Sequence, residues 1–300
     1  MIEKFNFYDV YGYFLPGAAF LAVLWMPLGL VRHSWPAKDW SSAIIAAALA
    51  YLVGHLLQNV ATNAIPSWES KGAAGNDRYP SEIFLDFENN ELPKEAKKKI
   101  GEFIELQFGL NLQLGAMPDA AIDKTRNNAF LFARQTLIQG SAVSYAEQFQ
   151  GMYAVTRGLV SVFALACTYF LGWAAAVLKH SYAIDAGIVL MCAAILALFN
   201  LSLMQVRGIA NPLAKRRVEI WYASLLLALL FAVGYVLGIH SHVELNHAMV
   251  FAFLAGCSGV ACLRAYGAYR YFARRFASTV WRDYLAYNIR PASKANGKTT

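Results

Sequence analysis

Ser258 stands in the run Gly256-Cys257-Ser258-Gly259, and His55 precedes Asn59 by one helical turn. A serine hydroxyl beside an imidazole base is the equipment of acyl transfer, in which the base takes the hydroxyl proton as the oxygen attacks a carbonyl. His240, His242 and His247 lie with Glu244 in a short polar stretch. A His-x-His pair is a zinc or copper ligand pattern, but imidazoles on a loop at a membrane edge are as a rule solvated, so no metal is expected. Asp77, Glu82, Asp86 and Glu88 form an acidic run without metal-ligand spacing. Between positions 62 and 153 there is neither His nor Cys, which removes Cys–His and Ser–His chemistry from that region. It also excludes a nuclease arrangement in which an Arg is followed closely by a His. A glycine-rich phosphate loop of the Walker type is also lacking. The expectation is no enzyme, no catalytic residue, no cofactor and no metal.

What must position these residues is a set of apolar helices. Six stretches without charge occupy roughly 10–31, 41–59, 158–178, 186–206, 221–239 and 247–263. Each is about long enough to cross a ~30 Å hydrocarbon core at 1.5 Å per residue. The composition agrees: 58% of residues are hydrophobic and 15% charged, against about 25% charged in soluble domains. Cys167, Cys192, Cys257 and Cys262 all fall inside apolar stretches, so no disulfide is expected. The first stretch contains Pro16, Gly17 and Pro27 and has no basic run before it. It reads as a retained span rather than a cleaved signal.

The net charge of +7 is explained by where the cations fall. With the N-terminus inside, Arg32, Lys38 and Lys179 are the outer basic residues, and the other 23 of 26 lie on the inner side. Trp25, Trp35 and Trp40 fit an outer aromatic belt, Trp221 and Tyr222 an inner one. Direct nucleic-acid binding is not expected. The fold class is all-α, a polytopic membrane protein of six spans in a 2+4 arrangement, with both termini cytoplasmic and the bacterial inner membrane as its address. Its segments are spans at 1–61, a helical cytosolic insert at 62–153, spans at 154–264 and a basic aromatic tail at 265–300 whose end is disordered.

Inside the insert, Pro93 and Glu95 suit a first helical turn. Ile100, Phe103, Ile104 and Phe108 follow as an apolar stripe, and Gly109 and Gly115 bracket a break. Lys97, Lys98 and Lys99 read as a solvated face. A second helix is predicted from Asp119 to about Gly140, with an apolar face of Ile122, Phe130, Leu131, Ala133, Leu137 and Ile138. A third begins near Ser144, with Glu147 completing a capping box, and runs through Arg157 into the third span as one helix over about 144–178. The tail at 265–287 interleaves Tyr266, Tyr269, Phe272, Phe276, Tyr284 and Tyr287 with Arg270, Arg274, Arg275 and Arg282. It reads as an interfacial helix on anionic lipid, with partner binding as the other option. Arg270, Arg274 and Arg275 are the candidate lipid or partner contacts.

No Asp, Glu, Lys or Arg sits in mid-membrane, which argues against an ion-coupled transporter. The polar candidates are Asn200 in the fourth span, Gln58 and Asn59 closing the second, and Arg157 opening the third. Asn200, Gln58 and Asn59 are candidates for pore lining or helix packing, and Arg157 for coupling. Ala252, Ala255, Gly256 and Gly259 form small-xxx-small pairs, with Gly256 and Gly259 the packing candidates.

Two resemblances bear on these residues. Gly256-Cys257-Ser258-Gly259 resembles the GxSG sequence of rhomboid-type intramembrane proteases, and His55 with Asn59 echoes their HxxxN pattern. Rhomboids place the general-base His in a span after the Ser, the reverse of the order here. Tyr8-Asp9-Val10-Tyr11-Gly12-Tyr13-Phe14-Leu15-Pro16-Gly17 and Gly75-Asn76-Asp77-Arg78-Tyr79-Pro80-Ser81-Glu82 resemble runs in uncharacterised bacterial multi-pass proteins. Their build is similar to that of membrane effectors of anti-phage abortive-infection systems. That resemblance implies a homo-oligomer that breaches the inner membrane when its cytosolic part senses a soluble defence partner or a small nucleotide. A membrane scaffold that recruits a soluble partner is the alternative.

Overall fold

A computed structural model describes residues 10–33, 39–64, 79–116, 119–140, 145–176, 228–240 and 245–289. Every regular element among them is helical. A π-turn at Val10–Phe14 leads into α1 (Leu15–Arg32), followed by α2 (Trp40–Ala64), the single turn α3 (Pro80–Ile83), α4 (Lys94–Phe108), α5 (Ala120–Gln139), α6 (Ala146–Ala175), α7 (Ala228–His240) and α8 (Leu245–Ile289). Among the described residues, four helical segments are long and apolar enough to cross a membrane: Val10–Arg32, Trp40–Thr62, Ala146–Ala175 and Asn246–Ile289. α7 is apolar but shorter. The stretch at 186–206, with Asn200, and the first part of the stretch at 221–239 lie outside the described residues.

The chain divides into two compact units, Met1–Ile65 with Ala154–Tyr269, and Pro66–Tyr153 with Arg270–Thr300. Two helices run without interruption from one unit into the other. α6 has 30 residues and α8 has 45, so α8 at 1.5 Å per residue is more than twice the length a bilayer requires. The span at 247–263 is thus the first part of a helix that continues through Arg264 and Arg270.

In the first unit, α1 and α2 pack antiparallel at backbone contact. A Cβ on Gly17 would lie 1.7 Å from the Ala50 carbonyl oxygen, and one on Gly54 1.8 Å from that of Tyr13. Lipid tails give helices no hydrophobic reason to associate, so close backbone approach at small residues supplies the packing energy instead. α6 and α7 meet the same way, but in parallel. Gly172 abuts Phe231 and Tyr235, Gly234 abuts Tyr169, and Gly238 abuts Trp173 and Ala176. On α6, 56% of the apolar window is buried, against 17 to 28% for the other three, so α6 is the central helix. Its Tyr169, Phe170 and Trp173 pack on Phe251 and Ala255 of α8. Ile44, Ile45, Leu49, Leu52 and Leu56 of α2 are exposed, as expected of a face that meets lipid.

The second unit has a small core of its own. Ile100 and Ile104 of α4 and Ala129, Ala133 and Leu137 of α5 bury against Val280, Trp281 and Tyr284 of α8. Asp119 caps α5 by accepting the Ile122 amide at 2.8 Å, and Gly140 ends it. Gly109, at φ 66°, ends α4 in the left-handed conformation that glycine adopts freely. Glu82 reaches back to the Tyr79 amide at 2.9 Å to close the turn of α3.

Two expectations change here. Lys98 and Lys99 are exposed, but Lys97 is fully buried. It lies one turn before Ile100 on the inner face of α4, and its ammonium donates to the carbonyls of Asp86 and Asn89. Burial lowers the Lys97 pKa. On α5, Leu131 and Ile138 are exposed, and the buried stripe instead includes Arg126. Arg126 pairs with Asp86 and donates to the carbonyls of Leu112 and Gln113, each at 3.3 Å. The tail continues α8 as one helix, in which Trp281 is fully buried and its indole N–H donates to the Ser81 carbonyl at 3.1 Å. The insert alone has too little apolar surface to close a core, and the tail supplies the missing wall. Ser144, part of the expected capping box, lies outside the described residues.

Candidate functional site

The site is built on a proline. Pro16 has no N–H, so the Gly12 carbonyl four residues earlier lacks its usual helical donor, and the chain there widens into the π-turn Val10–Phe14. A carbonyl freed in a span must be satisfied from a neighbouring element. Gln58 of α2 does this: its Nε2 donates to the Gly12 oxygen at 2.6 Å and to the Ala154 oxygen of α6, also at 2.6 Å. Its Oε1 accepts the Arg157 Nε proton at 3.0 Å. Gln58 is 4% exposed, with both amide protons and its oxygen engaged. The node requires Gly158, since a Cβ there would lie 2.6 Å from the Pro16 ring and 2.9 Å from Gln58 Nε2.

Three helices meet at this amide: the start of α1, the end of α2 and the part of α6 that opens its apolar run. The node contains a guanidinium, an amide and carbonyls, and so it has neither a nucleophile nor a general base at ordinary pH. What it does well is register position. A displacement of α6 by about 1 Å takes 2.6–3.0 Å contacts beyond hydrogen-bonding distance.

A second fastening lies farther along α6. The Tyr169 hydroxyl donates to the Leu24 carbonyl of α1 at 3.0 Å, in the turn that Pro27 interrupts. Alternating aromatic contacts continue from Tyr169 to Trp173, with centroids 6.4 Å apart, and from Trp173 to Phe251 at 5.4 Å.

The remaining candidates fall apart from this node. Asn59 is exposed beside Gln58, and Asn200 lies outside the described residues. No described atom comes within 4 Å of a Cβ built on Gly256, and on Gly259 the nearest is the Cys167 sulfur at 3.9 Å. The tightest glycine contacts are instead those at Gly17, Gly54, Gly172 and Gly234. Arg274 and Arg275 are exposed and Arg270 is half-buried. The Arg275 guanidinium lies over the Tyr271 ring at 5.3 Å and donates to its hydroxyl at 3.1 Å. The His55 imidazole is stacked on Tyr13 at 3.7 Å and stands edge-on to Tyr51. Ser258 is buried on α8, and no hydrogen bond joins it to His55. His242 and Glu244 lie outside the described residues, and the carbonyl of His240 accepts from Arg32 at 3.1 Å. Among the described residues, no group of three or more His, Cys, Asp or Glu is placed to hold a metal ion.

Sequence reasoning reached Gln58 and Arg157 but not their partners Gly12, Pro16 and Gly158, nor Tyr169. The signal was present. A proline four residues after a glycine in an apolar helix frees one known carbonyl, and Gly158 and Gly172 stand fourteen residues apart, about four turns, on one face of α6. No protein-family model matches the chain, and no curated protein or solved structure is measurably similar to it.

Proposed function

We propose that the chain is an oligomeric bacterial inner-membrane channel or membrane-disrupting effector, gated by its cytosolic helices and acting in anti-phage defence. The carrying observation is α6. It is the most buried apolar helix of the first unit, it holds both fastenings of α1, and it runs unbroken into the second unit. A soluble partner or a small nucleotide bound by the second unit would act on the span bundle through α6.

The six-span reading draws support from α6 and α7. The two helices are parallel, and the charge-free stretch at 186–206 between them in sequence has the length of a span. With α7 as the fifth span, the 23-to-3 division of basic residues favours a cytoplasmic second unit and cytoplasmic termini. Ion conductance of the purified protein in planar bilayers, or dye release from liposomes, tests the proposal. An oligomeric preparation that passes neither ions nor dye, with or without the products of neighbouring genes, overturns it.

A scaffold is the second reading, and one observation favours it. Leu106, Leu131, Phe132 and Tyr145 of the second unit are 83, 50, 45 and 71% exposed, apolar side chains available to a soluble partner. Changing Leu131 and Phe132 to Ser abolishes partner pull-down if the protein is a scaffold, and leaves bilayer conductance intact if it is a channel.

A further inference from the structure

Each proline of α1 disturbs a turn whose backbone carbonyl is held by another helix. Pro16 cannot serve the Gly12 carbonyl, which takes a proton from Gln58. Pro27 lies inside α1. It has no N–H for the carbonyl of Val23, its ring pushes that turn open, and the adjoining Leu24 carbonyl takes the Tyr169 hydroxyl proton. Gln58 supplies the donor that Pro16 lacks, which is how a proline is tolerated in a membrane helix, and Tyr169 fastens the carbonyl next to the one that Pro27 leaves without a donor. Both donors depend on α6. Tyr169 belongs to it, and the Gln58 amide is held in place by Ala154 and Arg157. α2, α6 and α8 contain no proline, so their backbone ladders need no such help.

We propose that α1 is the movable helix of the bundle and that α6 is its latch. A shift of α6 withdraws the Tyr169 hydroxyl and the Gln58 amide together, and α1 then bends at Pro16 and Pro27. The inference rests on the gated reading above, because it names the helix that the gate moves.

Hydrogen exchange on the full chain in lipid nanodiscs tests it, with α1 (15–32) followed against α8 (246–262) as the internal control. Tyr169→Phe removes the hydroxyl and keeps the ring. The expected result is exchange in α1 about threefold to tenfold faster, the range for interhelical side-chain bonds in membranes, with α8 unchanged. Pro27→Ala restores the missing N–H and closes the turn, so it slows exchange in α1 by itself, and adding Tyr169→Phe then changes it by less than about twofold. An unresponsive α1, equal acceleration in α8, or a full Tyr169→Phe effect in the Pro27→Ala background overturns the latch. Conductance of the same preparations separates the two ideas. Expected exchange without conductance leaves the latch standing and removes the channel, while conductance with an unresponsive α1 does the reverse.

Discussion

Arg157 gives its Nε proton to the side-chain oxygen of Gln58 at 3.0 Å, ninety-nine residues away in the chain. The bond orients the Gln58 amide so that both of its protons reach carbonyls, Gly12 on one side and Ala154 on the other. Gln58→Leu keeps the volume and deletes all three bonds. With side-chain bonds in membranes near 0.6 kcal/mol each, and more where a carbonyl is stranded, the expected loss is about 2 kcal/mol. Thermal unfolding in detergent measures it. Gln58→Glu should be worse than Gln58→Leu, because a carboxylate accepts from Arg157 but has no proton for either carbonyl.

Glycine substitutions separate packing within the chain from packing between copies. Gly54→Val forces a side chain against the Tyr13 carbonyl, where even a Cβ would lie at 1.8 Å. It should cost more than about 3 kcal/mol or prevent folding. Gly256→Ala meets nothing within 4 Å among the described residues. It should leave the melting temperature unchanged, and sedimentation of the detergent-solubilised protein should show a change only if that face joins subunits.

These outcomes bear on what a sequence displays. The ends of α4 and α5 were legible because caps are local: Asp119, Gly109 and Gly140 act within one turn of themselves. The passage of α6 through Arg157 was legible because no proline or long break interrupts the apolar period there. Lys97 was not, since its neighbours Lys98 and Lys99 are solvated, and only the fold of residues 86–89 turns two carbonyls toward it. Glycine contact was equally illegible. Gly17, Gly54 and Gly256 look alike in sequence, and which of them touches a backbone depends on a partner helix that the local pattern does not specify.

Lys97 also gives a pH signature. Burial lowers its folded-state pKa below the ordinary 10.5, so the unfolded chain binds more protons in the window between the two values. Stability therefore rises with pH across that window, up to about 10.5. Lys97→Met removes this rise but strands the carbonyls of Asp86 and Asn89, at a cost of about 2 kcal/mol near neutral pH. Melting temperature against pH for the two proteins checks both statements.

At the other end of the scale, Asp39 precedes α2 and accepts from the Ser41 hydroxyl and the Ser42 amide. These bonds hold its pKa at about 2, below the ordinary 3.8. Its support for the start of α2 is complete above about pH 4 and disappears as pH falls through about 2. Asp39→Ala should lower amide protection at residues 41–44 and make that protection, relative to intrinsic exchange, independent of pH in that range.

Trp281 and Ser81 close one core from opposite ends of the sequence, and this sets a timetable for biosynthesis. The insert leaves the ribosome early with its apolar stripes uncovered, and Ala154–Tyr269 must be made before the wall that covers them. At about 5–20 residues per second that interval is on the order of ten seconds. The core cannot close until residues 270–289, which supply Val280, Trp281 and Tyr284, have been made. A chain cut short before Trp281 therefore leaves the apolar stripes of α4 and α5 uncovered, the kind of surface that proteases recognise.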